Sequence, residues 1–260
     1  MTKITVFFIT ILAIFSQAKA QLKTPESAQF YKGKIYVSNI GNLPPNKKDK
    51  DGFIAVFNGS GKFEKILIKG LNAPKGIAFK GNKLFVTDIN EIKVININNG
   101  KIEKIIEIKG AKFLNDIVIH KNIIYVSDTQ KNTIYNIPID TFIPKIFIKS
   151  YELNGPNGLI FRKEKLICVS WNSGNIFYVN KNKIEKIAHI NGNLDGIIET
   201  DKGNLLVSDF KNGKIYKVDK NGKIKVLINA LISPADIGYN EGKLAIPEFY
   251  GNRVIIKKVK

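Results

Sequence analysis

Short apolar runs alternate with tight polar turns along almost the whole chain. The runs are rich in Ile, Val, Leu, Phe and Tyr, and the breaks between them are built from Gly, Asn, Asp and Lys. β-Branched and aromatic residues in that arrangement predict strands joined by hairpins. No segment sustains a helical period. The region around residues 76–108 shows the grammar most completely. It predicts four strands, at 76–79, 83–87, 92–97 and 102–108, with Asn98-Asn99-Gly100 as the last hairpin turn.

The same phrase returns six times. NLDGIIETDKGNLLVSDF (193–210) is its clearest copy, and LNDIVIHKNIIYVSDT (114–129), PKGIAFKGNKLFVTDI (from Pro74) and PNGLIFRKEKLICVSW (from Pro156) follow it closely. ADIGYNEGKLAIPEF (from Ala235) and ESAQFYKGKIYVSNI (from Glu26) are looser. The residues just before each first strand are Glu26, Lys75, Asn115, Asn157, Asp195 and Ala235, at steps of 49, 40, 42, 38 and 40. Four strands repeated at a period near 40 predict an all-β, six-bladed β-propeller, with four-stranded blades around a central channel. The domain spans residues 21–260. The last repeat holds only three strands, so its fourth is expected from the segment at 21–24. The long first step reflects a polar, Pro-containing insertion at 41–52, read as a surface loop or a lid. Its Asp49-x-Asp51-Gly52 lacks the other ligands of a calcium loop.

Residues 1–20 read as a signal peptide: Lys3, a 12-residue largely apolar run and an Ala18-Lys19-Ala20 cleavage site. The run is too short to span a bilayer, so the mature chain carries no membrane span. It is expected to be periplasmic or secreted. Cys168 is the one cysteine, which excludes an internal disulfide and a Cys-rich metal site. The net charge of +19 raises the question of nucleic acid. The lysines are dispersed through turns and no nucleic-acid motif accompanies them, so no such partner is expected. A small-molecule substrate and a monomer are.

The six period-marking residues would ring one mouth of the channel. Glu26, Asn115, Asn157 and Asp195 offer side-chain oxygen, which suits a hard divalent cation. The blander reading is that Asn and Asp merely favour the turn into each inner strand. Such a cation polarises an ester carbonyl and activates a water. Asp195 or Asp116 would take the proton, and Lys75 would hold an anionic group or a developing oxyanion. No G-x-S-x-G elbow or H-E-x-x-H is present. Asp88, Asp128, Asp209 and Glu248 close the second strands and are read as turn fasteners. Asn39 and Trp171 are assigned the same place in their blades. His120 and His189 read as edge residues.

The sequence resembles the family of senescence marker protein (regucalcin), gluconolactonase and related six-bladed lactone hydrolases. Glu26 in PESAQF, Asn115-Asp116 in FLNDIVI, Asn157-Gly158 in PNGLIF and Asp195-Gly196 in LDGI carry the resemblance. It implies Glu26, Asn157 and Asp195 as metal ligands, Asn115 as a contact to substrate or to a metal-bound water, and Asp195 as the catalytic base. The implied cofactor is one divalent cation, Ca²⁺ first, with Mg²⁺, Mn²⁺ or Zn²⁺ as alternatives. Asp116 and Lys75 complete the expected substrate-binding set. Phe113 stands where sugar-lactone enzymes of this family often carry arginine, and Ser27-Ala28 replaces Gly-Pro. These departures count against a sugar-acid lactone and leave the metal set intact. The expected function is an exported, metal-dependent lactone or ester hydrolase. The competing readings are a non-catalytic propeller that binds a peptide, glycan or surface partner, and, more weakly, a strictosidine synthase-like propeller without metal.

Overall fold

Each blade has a second strand that is apolar without alternation, such as Leu84-Phe85-Val86 or Leu205-Leu206-Val207, and fully buried. Such a strand must be covered on both faces. The only surfaces able to cover it are the neighbouring blades. The computed structural model, which describes residues 22–259, meets this demand as a closed ring. Six antiparallel sheets follow one another along the chain, each with its strands in sequence order. Together they form a six-bladed β-propeller. The inner strands are Pro25–Tyr31, Pro74–Lys80, Leu114–His120, Pro156–Arg162, Leu194–Glu199 and Gly238–Asn240.

The core is divided among the seams between blades. One cluster joins Phe85, Ile92 and Val94 of blade two to Leu114, Ile124 and Val126 of blade three. Equivalent clusters fill the seams one–two, three–four, four–five and five–six. The sixth seam joins Ala28, Ile35 and Val37 of blade one to Ala245 of blade six. The ring is therefore held shut by the same kind of packing that holds every other pair of blades. Backbone pairing adds to it: Ala28 N donates to Asp236 O at 3.2 Å, and Asp236 N to Glu26 O at 2.8 Å.

Two details differ from the sequence reading. The sixth sheet has three strands among the described residues, and residues 22–24 do not complete it. Their carbonyls are taken by blade one, where Ile40 N donates to Thr24 O and Gly41 N to Lys23 O. Thr24 N donates to Asn252 Oδ1 of blade six at 2.7 Å, so the segment bridges the seam without joining the sheet. Short 3-10 turns also appear, at Thr129–Lys131 and Tyr151–Leu153. The signal-peptide reading falls on residues 1–20, outside the described residues. No helix among the described residues is long and apolar enough to cross a membrane.

Seam packing sets a clear contrast in stability. Phe85→Ala, at a fully buried seam position, is expected to cost about 3–5 kcal/mol. Ile105→Ala, on an outer strand and 51 % exposed, should stay within about 0.5 kcal/mol. Urea denaturation of the two variants checks this.

Candidate functional site: a buried polar ring in the channel

Five of the six period-marking residues lie within the inner strands, not before them; Ala235 alone precedes its strand. The pairing register of those strands breaks between Pro25 and Ser27, Pro74 and Ile77, Pro156 and Leu159, and Leu194 and Ile197. In blade three the break falls opposite, between Val126 and Asp128. Glu26, Lys75, Asn115, Asn157 and Asp195 therefore sit at β-bulges, which free a residue from the ladder and re-aim its side chain. Hydroxyls of the second strands fix the bulges. Ser38 Oγ accepts from Ser27 N, Ser127 Oγ from Asp116 N and Ser208 Oγ from Gly196 N. Thr87 and Ser208 also donate across the seam, to Asn115 O at 2.6 Å and Ala235 O at 2.7 Å. The glycine after three of the ring residues lets the inner strands converge. A Cβ on Gly158 would stand 2.4 Å from Asp195 O, and one on Gly196 would stand 2.6 Å from Ile237 N.

The turn fasteners behave as the sequence suggests. Asp88 accepts from Asn72 N and Ala73 N, Asp128 from Lys112 N and Phe113 N, Asp209 from Asn193 N, and Glu248 from Ile232 N. Asn39 does the same for Lys23 N. In blade four the place belongs to Ser170, which pairs with Pro156 as Asp88 pairs with Pro74. Trp171 is one residue further on, and it lines the channel mouth.

Glu26, Lys75, Asn115 and Asp195 meet at one cavity of about 810 Å³. Asn157 holds the equivalent bulge between Asn115 and Asp195. All five side chains are nearly inaccessible, from 1 % exposed for Lys75 to 6 % for Asn115. Glu26 Oε2, Asn115 Oδ1, Asn157 Nδ2 and Asp195 Oδ1 are buried without a hydrogen-bond partner. Asn115 is oriented by its surroundings: its Nδ2 donates to Thr129 Oγ1, which itself donates to Pro156 O. The amide oxygen is thereby left free. A half-turn of the Asn157 amide would likewise exchange its unpaired Nδ2 for oxygen. An unsatisfied buried polar group costs roughly 1–3 kcal/mol, and more when charged. Three free oxygens at one ring, and a fourth with the Asn157 amide turned, are a cost that a bound cation would remove. The donor set is hard oxygen, as Ca²⁺ and Mg²⁺ prefer. Among the described residues no group of three or more His, Cys, Asp or Glu could hold a metal, so any cation here depends on the Asn oxygens.

Asp116 is not in this cavity. With Asp236 it lines a second one, of about 300 Å³, formed by the far halves of the inner strands. Its Oδ2 accepts from Leu159 N at 2.5 Å and its Oδ1 from Ile117 N at 2.7 Å. Asp236 Oδ2 accepts from Ser27 Oγ and Gln29 Nε2. It makes no ion pair with Lys75.

Electrostatics follow from burial. Burial, then the negative charge of Asp195 and Asp236, pushes Glu26 well above the usual carboxyl range. Burial and Asp236 push up Asp195 and Asp116 in the same direction. Asp236 itself is raised by burial to about 6. Lys75 is brought down to about 8, again by burial, against the pull of Glu26 and Asp88. It is closed off from solvent. Its Nζ donates to Pro45 O at 2.9 Å and Ala73 O at 3.1 Å, and stands 4.3 Å from the Phe113 ring centroid. The inserted loop is thus fastened to the channel by Lys75, and its Leu43, Pro44 and Pro45 form part of the cavity wall. Cys168 is fully buried and its thiol is pushed up by burial, as expected of a packing residue. His120 faces Glu164, and His189 faces Asn175, both outside the cavity lining.

Among solved structures, the chain resembles a gluconolactonase from Xanthomonas campestris (14 % identity, 92 % of this chain and 87 % of that one, TM-score 0.74). It also resembles a catalytically inactive histidine-to-alanine variant of virginiamycin B lyase from Staphylococcus aureus with quinupristin (18 %, 94 % and 97 %, TM-score 0.66). A third likeness is to a chain of the nidogen/laminin complex (17 %, 90 % and 88 %, TM-score 0.69). At these identities the likeness is one of fold. No protein-family model matches the chain. No curated protein matches it either.

The raised carboxyls predict a pH effect of definite sign. The folded protein holds protons more tightly than the unfolded chain, so stability without cation falls as pH rises through about 6. In EDTA the melting temperature should drop between pH 5 and pH 7.5. Added Ca²⁺ should raise it more at pH 7.5 than at pH 5, measured by differential scanning fluorimetry.

Proposed function

We propose that this protein is a divalent-cation-dependent hydrolase of a lactone or related ester, exported after cleavage of residues 1–20 and acting on a substrate seated in the 810 Å³ cavity. The observation that carries the reading is the set of four buried, unpartnered polar atoms on Glu26, Asn115, Asn157 and Asp195. Burial of this kind has a folding cost and no structural return. Groups held so are characteristic of binding and catalytic sites. Glu26, Asn157 and Asp195 would hold the cation. When bound, it supplies Lewis-acid polarisation of the ester carbonyl and offsets the carboxylate charge.

The chain's own residues supply the rest. Asp195 Oδ1, free of any hydrogen bond, accepts the proton of the attacking water. The water oxygen adds to the acyl carbon, the acyl–oxygen bond breaks, and the departing alkoxide takes the proton back from the Asp195 carboxyl. The product is the open hydroxy acid. Asn115, its amide oxygen turned inward by Thr129, orients the substrate or its water. Lys75 has two of its three donors committed to Pro45 and Ala73. One hydrogen and its positive potential remain for the developing oxyanion. Asp116 faces the other cavity and takes no step here.

The gluconolactonase likeness supports this chemistry. The lyase likeness supports it less well. A histidine is needed in that enzyme, whose alanine variant is inactive, and both histidines here lie outside the cavity lining. The likeness to the nidogen/laminin chain supports the second reading, a non-catalytic propeller binding a peptide, glycan or surface partner. That reading leaves the unpartnered carboxylates unexplained.

Asp195→Asn separates the two. It keeps the shape and removes a buried charge. In EDTA the variant should melt higher than the native protein, lose most of the Ca²⁺-dependent gain, and hydrolyse lactones at least about 100-fold more slowly, in line with loss of a general base. Unchanged turnover, or no turnover by the native protein on any lactone with Ca²⁺, Mg²⁺ or Mn²⁺, would contradict the hydrolase reading.

A further inference from the structure

The two sides of the cavity differ in chemistry. The residue after the turn fastener of each second strand is Ile40, Ile89, Thr129, Trp171, Phe210 and Phe249 in blade order. Three consecutive blades, four to six, thus present aromatic rings at one level above the polar ring. They touch one another. Trp171 and Phe210 lie 5.2 Å apart between ring centroids, and Phe210 and Phe249 5.4 Å. Tyr250 extends the wall outward, 5.7 Å from Phe210 and 57 % exposed. Across the cavity, blade three presents Thr129, Gln130 and Asn132, and the one aromatic ring on that side, Phe113, is taken by Lys75. Thr129 is already committed to Asn115 and Pro156.

We propose that the substrate carries an aromatic ring that seats on the Trp171–Phe210–Tyr250 wall, so that the substrate class is aryl-substituted lactones or esters, not polyol lactones. The inference rests on the hydrolase reading for its reaction, though not for its ligand. A planar apolar ring against these side chains forms offset or edge-to-face contacts. A sugar lactone can lay only its C–H faces on this wall, and each hydroxyl turned toward it loses water without gaining a partner. The cavity volume, about 810 Å³, is ample for a bicyclic ligand. With the ring on blades four to six, its ester carbonyl can reach inward to the level of Glu26 and Asp195.

Trp171 is the one tryptophan of the chain, so its emission reports directly on the wall. The probes are γ-phenyl-γ-butyrolactone, unsubstituted γ-butyrolactone and glucono-δ-lactone, each with CaCl₂. Asp195→Asn is used for binding and the native protein for turnover. The phenyl lactone should change Trp171 emission saturably, and the other two should not. Its kcat/KM should exceed that of either by at least tenfold. Tyr250→Ala, at an exposed position that the fold does not need, should cut the phenyl-to-unsubstituted ratio of kcat/KM about fivefold, chiefly through KM. Phe210→Leu should act in the same direction. Unmoved Trp171 emission at saturating phenyl lactone, or a higher kcat/KM on glucono-δ-lactone, would overturn the proposal. The two readings fail separately. Lactone turnover without aromatic preference leaves the hydrolase and removes the aryl substrate. Saturable Trp171 emission changes with no turnover keep the aryl ligand and remove the hydrolase.

Discussion

Glu26, Asp116, Asp195 and Asp236 share one narrow channel, and each is at most 6 % exposed. Charge so confined is unfavourable twice over, through lost hydration and through mutual repulsion. Asp116 and Asp236 are partly compensated, by backbone N–H groups in one case and by Ser27 and Gln29 in the other. Glu26 and Asp195 each keep an oxygen with no partner at all. Burial favours the protonated form of both, which lowers the charge but gives the free oxygens no partner. Lys75 supplies part of the counter-charge, through its pull on Glu26, and on the function proposed above a bound cation would supply the rest.

The remainder of the molecule holds that arrangement in place. Seam packing closes the ring. Bulges in the first five inner strands free the ring residues from the ladder, second-strand hydroxyls pin the bulges across the seams, and Gly76, Gly158 and Gly196 give the strands room to converge. Stability and chemistry are thus divided by depth along each blade. The second and third strands carry the seams, the outer strands carry exposed charge, and the inner strands carry buried polar groups, some without partners.

Much of this was legible in the sequence. The period near 40 residues fixed the blade number, and equivalent positions in the repeats identified Glu26, Asn115, Asn157 and Asp195 together. What escaped was what depends on facing and on single-residue register. Asn115 and Asp116 are neighbours, yet they open to opposite cavities, because successive residues of a strand point in opposite directions. Trp171 was assigned the turn-fastening place that Ser170 occupies, since the serine lacks the carboxylate that marks the other blades. The repeat put Lys75 in the ring but gave no sign that it would be fully buried. Its burial depends on the Pro45 carbonyl, brought over by an insertion whose course the sequence does not encode locally. The run of Trp171, Phe210 and Phe249 at one repeat position gains its meaning only from the mouth they line.

The central claim is that the four unpartnered atoms mark a cation site. Crystals of the protein soaked in Mn²⁺, with anomalous diffraction data, test it most directly. The account predicts one strong anomalous peak among Glu26, Asn115, Asn157 and Asp195, with oxygens from at least three of them in the coordination sphere. An empty ring at millimolar Mn²⁺, or a sole peak at the Asp49 and Asp51 carboxylates of the inserted loop, would contradict it.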